Sequence, residues 1–198
     1  GSSSTLVLDN SRPVGSTITA TVTTSDGYGG SDSASETITI LNTEPSLDQA
    51  AEIVSNPSPK TTGLLTCSAV FSDYNDGLLS TSYTWTLNNG VILATSGSNY
   101  TIDESETNPG DEIVCTASAS DNDGSSISSS TSILVQNTAP SIDSLSITPG
   151  TSVEANVTLA MVYSASDIDY ENLSTTFEWI DSSGTVLGTG STLTLDNS

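Results

Sequence analysis

Histidine is absent from this 198-residue chain, and only Arg12 and Lys60 stand against 24 acidic residues, for a formal net charge of −22. Phosphate neutralisation needs lysine and arginine, so nucleic-acid binding is excluded, and anionic membrane surfaces repel the chain for the same reason. Without histidine the commonest general base is missing. No apolar run approaches transmembrane length, so membrane insertion by this segment is not expected. No leader is visible either. The opening residues read as an internal cut, so the chain is expected to be part of something longer.

The apolar fraction is also low, at 34%. Combined with such a charge, that composition ordinarily signals disorder. The periodicity argues the other way. Thr17-Ile18-Thr19-Ala20-Thr21-Val22 and Glu36-Thr37-Ile38-Thr39-Ile40 alternate as half-buried strands do. Threonine on the wet face keeps a strand β-prone and soluble. No helical period stands out, so the expected fold class is all-β.

The chain repeats itself. Asn42-Thr43-Glu44-Pro45 recurs as Asn137-Thr138-Ala139-Pro140, an offset of 95 (137 − 42), and Ser25-Asp26-Gly27 recurs as Ser120-Asp121-Asn122. Ala20 therefore falls where Cys115 falls. Elsewhere the offset is 94 (167 − 73): Asp73 matches Asp167, Trp85 matches Trp179 and Cys67 matches Met161. A period of this size is one sandwich domain, not a solenoid turn. Residues 1–45 then read as the back half of a domain (strands E to G), residues 46–138 as a complete one, and residues 139–198 as the front half of another (strands A to E). Ser4-Thr5-Leu6-Val7-Leu8-Asp9-Asn10-Ser11 nearly repeats the stretch from Ser191 to Ser198. Joining the two ends would regenerate an unbroken domain, with Met161 facing Ala20 as a large and a small residue. The half domains are expected to be completed by neighbouring copies in a head-to-tail array.

Within the middle repeat, Leu65, Cys67, Ala69 and Phe71 alternate, as do Tyr83, Trp85 and Leu87, and Ile113, Cys115, Ala117 and Ala119. The order cysteine, tryptophan, cysteine on alternating segments resembles the immunoglobulin-like, PKD- or cadherin-like tandem repeats of large prokaryotic cell-surface proteins. The resemblance covers nearly the whole chain. It implies tandem antiparallel β-sandwiches, with a disulfide from Cys67 on strand B to Cys115 on strand F and Trp85 packed against it. Two buried free thiols are the other reading of the pair. A disulfide would place the chain in an oxidising, extracellular or cell-surface compartment.

Asp and Asn gather in two loops of each repeat. The B–C loops carry Asp73, Asn75 and Asp76, then Asp167, Asp169 and Glu171; the F–G loops carry Asp26, then Asp121 and Asp123. In this sandwich both loops share one end with the entering linker. Calcium takes six to eight oxygens from such loops, and the resemblance implies calcium at the junctions, with Asn42 and Glu44 assisting. Asn-Asp-Gly and Asp-Gly are equally turn formers needing no ion. Catalysis finds no support: the cysteines lack an activating base, and the carboxylates sit on turns instead of in an apolar cleft. Lys60 is expected on an exposed turn, a poor place for an isopeptide bond. Asn99, Asn156 and Asn172 begin glycosylation sequons.

The expected role is a structural repeat segment of a giant extracellular fibre or surface stalk. An adhesin binding a cell-surface or carbohydrate ligand is the alternative, for which Tyr28, Tyr74, Tyr100 and Tyr170 are the available aromatics. An accessory domain of an enzyme is a third reading.

Overall fold

The computed structural model describes residues 4–55, 59–60, 62–88, 90–150, 152–169 and 172–195. Among these residues every regular element is a strand. They run β1 (Thr17–Ser25), β2 (Ser31–Thr39), β3 (Ser46–Ser55), β4 (Leu64–Asp73), β5 (Gly77–Leu78), β6 (Ser82–Leu87), β7 (Val91–Ala94) and β8 (Asn99–Thr101). Then follow β9 (Glu112–Ser120), β10 (Ser126–Leu134), β11 (Ser141–Thr148), β12 (Thr158–Ser166), β13 (Trp179–Ile180), β14 (Val186–Gly188) and β15 (Thr192–Thr194). The fold is all-β and antiparallel.

Residues 46–138 form two facing sheets. One holds β3, β4 and β8, with β5 on the end of β4; the other runs β10-β9-β6-β7. Side chains alternate across each strand, so β4 buries Leu65, Cys67, Ala69 and Phe71, while β9 buries Ile113, Cys115, Ala117 and Ala119. Trp85 and Leu87 of β6 and Tyr100 and Ile102 around β8 complete the core. Cys67 and Cys115 are joined by a disulfide, with Cα atoms 6.5 Å apart, linking the two sheets. Trp85 pairs directly with Cys115 across β6 and β9. Lys60, expected on an exposed turn, is exposed and forms a parallel bridge to Gln136, and the Gln136 amide donates to the Pro59 carbonyl at 2.7 Å. This arrangement is compatible with an immunoglobulin-like sandwich. Asn88 leaves β6 at a φ of 45°; Asn89 lies outside the described residues.

The flanking segments reproduce parts of this framework bond for bond. The β1–β2 hairpin has the register of β9–β10: Thr21 faces Ser35 as Thr116 faces Ser130. Amide Gly15 donates to Ile40 at 2.9 Å, as Gly110 donates to Val135 at 2.8 Å. Sheet β11-β12-β15 follows β3-β4-β8, with Leu159 opposite Leu193 as Leu65 is opposite Tyr100. Amide Met161 donates to Ser191 at 2.9 Å, and amide Cys67 to Ser98 at 2.7 Å. The β13–β14 pair carries an irregularity at Trp179/Ile180, where β6–β7 carries one at Trp85/Thr86. Even backbone strain is shared: Thr62 and Asn156 hold φ of 73° and 64°.

Coverage differs. Leu6 and Val22 are each 68% exposed, and Ile38, Leu145, Ile147 and Tyr163 are also exposed. Their counterparts in residues 46–138 lie largely in or beside the core. Among the described residues β1–β2 and β13–β14 remain two-stranded sheets.

Candidate functional site

Asp73 closes β4, and its Oδ1 accepts the amides of Asn75 at 2.6 Å and Asp76 at 3.2 Å. This ring folds the loop back into β5. Asp121 does the same after β9, where its Oδ1 accepts amides Asp123 at 3.0 Å and Ser125 at 2.8 Å. Such Asx turns are what aspartate does at strand ends. The loops then join. Asp76 accepts both the amide of Asn122 at 3.0 Å and its side-chain Nδ2 at 2.6 Å. The linker joins them too: Asn42 Nδ2 donates to Asp121 Oδ2 at 2.8 Å and to Ser125 Oγ at 3.2 Å. The Asn42 bond is the largest influence holding the Asp121 carboxyl below the usual carboxylate range, with its own turn amides adding to it.

The two loops and the linker therefore meet at one end, as the sequence leads one to expect. Their carboxylates do not. Among the described residues no three Asp or Glu side chains gather around a common point. Like charges repel, and here asparagine donors are interposed: Asn122 against Asp76, Asn42 against Asp121. Asp73 and Asp121 are buried, Asn75 and Asp76 half-buried, Asp123 and Glu44 exposed. Burial leaves some oxygens without a donor. Asp73 Oδ2 and Asn42 Oδ1 are both shielded from solvent and unpartnered. An unsatisfied buried carboxylate oxygen is costly.

The next junction shows the same feature. Asp167 Oδ1 accepts amide Asp169 at 2.9 Å, and Asp169 Oδ2 accepts the linker amide of Thr138 at 2.6 Å. Asp167 Oδ2 and Thr138 Oγ1 are buried without a partner. Glu171 and Tyr170 lie outside the described residues. Asp26 joins neither cluster. It is exposed and turned onto its own loop, where Oδ1 accepts amides Tyr28 at 2.8 Å and Gly30 at 3.0 Å. The Tyr28 bond, then that of Gly30, lowers its pKa. A Cβ on Gly30 would stand 2.6 Å from the Oδ2 of Asp26, so a larger residue there would push this exposed carboxylate aside.

Ser125 and Thr138 were not legible as junction residues. Serine and threonine are so common here that position alone carries no signal. Tyr100, expected as a surface aromatic, is instead in the core, 5.8 Å from the Trp85 ring, and desolvation chiefly raises its pKa. Its strand pairs with β4, which turns the ring inward. Tyr28 and Tyr74 are exposed, at 98% and 64%. Of the sequon residues, Asn99, Asn156 and Asn172 are all exposed, and Asn99 accepts the Thr66 hydroxyl at 2.9 Å. No protein-family model and no curated protein matches the chain. No helix of the described residues is long and apolar enough to cross a membrane.

Proposed function

We propose that this chain is a mechanical spacer, a segment of a giant extracellular fibre or surface stalk built from tandem immunoglobulin-like sandwiches of the PKD- or cadherin-like kind. It is not an enzyme on this reading. Its division is 1–45, 46–138 and 139–198, and its natural neighbours are further copies of the repeat. The observation that carries the reading is the recurrence of one hydrogen-bond framework along the chain: indole Trp85 donates to the Gly97 carbonyl at 3.3 Å, and indole Trp179 donates to the Gly190 carbonyl at 2.8 Å. A fold copied in series resists extension unit by unit. The disulfide supports an oxidising location outside the cell.

Calcium at the junctions belongs to the same proposal. Their carboxylates stand apart here and would have to draw together around it: Asp73 and Asp121 with Asn42, Asn75, Asp76 and Asp123, and Asp167 and Asp169 with Thr138 at the next junction. The support is the buried, unpartnered Oδ2 of Asp73, which recurs as that of Asp167. An oxygen-seeking cation would satisfy those atoms and offset the local negative charge. Asp26 is proposed as a ligand only where a complete domain surrounds it.

Pulling on the chain tests the spacer reading. Under oxidising conditions the loop between Cys67 and Cys115, of sequence separation 48, stays closed. Reduction should lengthen the unfolded contour by ~170 Å at about 3.5 Å per residue, with a discrete rupture force for the middle unit. Extension without such a force peak would end the mechanical reading. Chelation tests calcium: the melting temperature should fall with chelator and recover with added calcium. An unchanged melting curve rejects the ion and leaves the spacer standing. Exposed Tyr28 and Tyr74 favour one second reading, an adhesin with a carbohydrate or cell-surface ligand. Glycan-array binding lost on Tyr28→Ala or Tyr74→Ala would support it.

A further inference from the structure

We infer that Asn42 is a latch that fixes the entering linker onto residues 46–138, so that the joint ahead of this unit turns at one residue, Leu41. The inference rests on the spacer reading above and adds the residue that sets the stiffness of the joint.

The chain changes allegiance abruptly at both joints. Ile40 belongs to the first hairpin: its amide donates to the Ser16 carbonyl at 2.8 Å, and its carbonyl accepts the Gly15 amide at 2.9 Å. Two positions on, Asn42 is held by the following unit, through Nδ2 to Asp121 Oδ2 at 2.8 Å and to Ser125 Oγ at 3.2 Å. At the second joint the Gln136 amide donates back to Pro59 at 2.7 Å, and the Thr138 amide donates forward to Asp169 at 2.6 Å. Among the described residues, a single position separates backward from forward bonds in each case, Leu41 in one and Asn137 in the other. Leu41 is 78% exposed, and Asn137 is exposed as well. A single residue offers only two soft backbone dihedrals, so the joint has little slack.

The groups that grip the chain on either side belong to residues 46–138, where two sheets face each other. Asp121 and Ser125 take the strand that enters, and Pro59 holds the strand that leaves.

The latch suits its surroundings. Asp121 is 8% exposed, and its Oδ1 is occupied by the Asp123 and Ser125 amides. Oδ2 is therefore an ionised acceptor, held in place by its own turn and shielded from water, which makes a strong hydrogen bond. An amide donor brings no further negative charge to a chain already at −22. Among the described residues Thr43, Glu44 and Pro45 bond to neither unit, and β3 begins only at Ser46. Without Asn42 the whole stretch from Leu41 to Pro45 could turn. Pro45 would keep Glu44 extended but would not tether it.

NMR relaxation on the whole chain tests the latch, with chelator present throughout so that no bound calcium holds the linker. Backbone order parameters of Asn42, Thr43 and Glu44 should match those of β9, at about 0.85, and should fall below about 0.6 in Asn42→Ala. Ser125→Ala, which removes only the longer of the two bonds, should lower them less. Order parameters within β4 and β9 should stay the same in both variants, which separates a loosened joint from a loosened fold. A linker already mobile in the unmodified chain, or equally ordered in Asn42→Ala, would overturn the latch. A force peak from residues 46–138 together with either of those results would keep the spacer and reject the latch alone.

Discussion

Trp85 and Trp179 make the same indole bond to a glycine carbonyl, beside the same strand irregularity, yet they end in different company. Trp85 is sealed between two sheets, fully buried and backed by the Cys67–Cys115 bridge. Trp179 sits on a two-stranded sheet and is 7% exposed. The strands around Trp85 belong to two four-stranded sheets joined by the bridge, whereas among the described residues Trp179 lies in the two-stranded β13–β14 sheet. The difference teaches that hairpins and local bonds need only nearby sequence, while a closed core needs strands that are distant in sequence.

The comparison yields graded tests. Trp85→Ala should cost about 3–5 kcal/mol, as removal of a large buried aromatic does, while Trp179→Ala should cost less in dilute chain. Urea unfolding of both variants checks it. If Trp179→Ala proves equally costly, the two tryptophans are enclosed alike and the contrast fails. Replacing Cys67 and Cys115 by serine should cost about 2–4 kcal/mol, chiefly by freeing the unfolded chain. That loss belongs to residues 46–138, so hydrogen exchange on β11 and β12 should stay unchanged.

Asn42→Ala should cost about 1–2 kcal/mol by leaving Asp121 short of a buried donor, while Asn137→Ala in dilute chain should cost nothing measurable. Differential scanning calorimetry separates the two. The smallest effect is acid dependence. The Asn42 and turn bonds depress Asp121, and the Asn88 side chain chiefly depresses Asp111. Their stabilisation is fully present above the ordinary carboxylate pKa of about 4 and is lost as pH falls through their lower folded values. NMR titration should place the Asp121 midpoint below that of a free aspartate, and Asn42→Ala should raise it. An Asp121 midpoint unmoved by that substitution would show that the linker bond is not made in solution.

Much of the fold was legible from alternation. Leu65 to Phe71 and Ile113 to Ala119 announced their inward faces because a strand has a period of two. The Cys67, Trp85, Cys115 order implied the bridge through its resemblance to immunoglobulin-like repeats. Tyr100 was misread because Asn99-Tyr100-Thr101 is too short to show alternation, and only pairing with β4 turns the ring inward. The junction was half legible. Asp73 and Asp121 stood out as carboxylates on turns, but nothing local could show that Asn42, 79 positions before Asp121, would donate to it. Nor could spacing show that Asn122 would donate to Asp76 and Asn42 to Asp121.

By itself the sequence determined strand identity, inward faces, turn positions and the repeat, because each depends on side chains within a few residues of one another. Tertiary structure decided which cores close, which polar atoms lose their water and where the linker binds. Those outcomes depend on strands far apart in the chain meeting across about 10 Å of sandwich interior, and no local pattern encodes that distance.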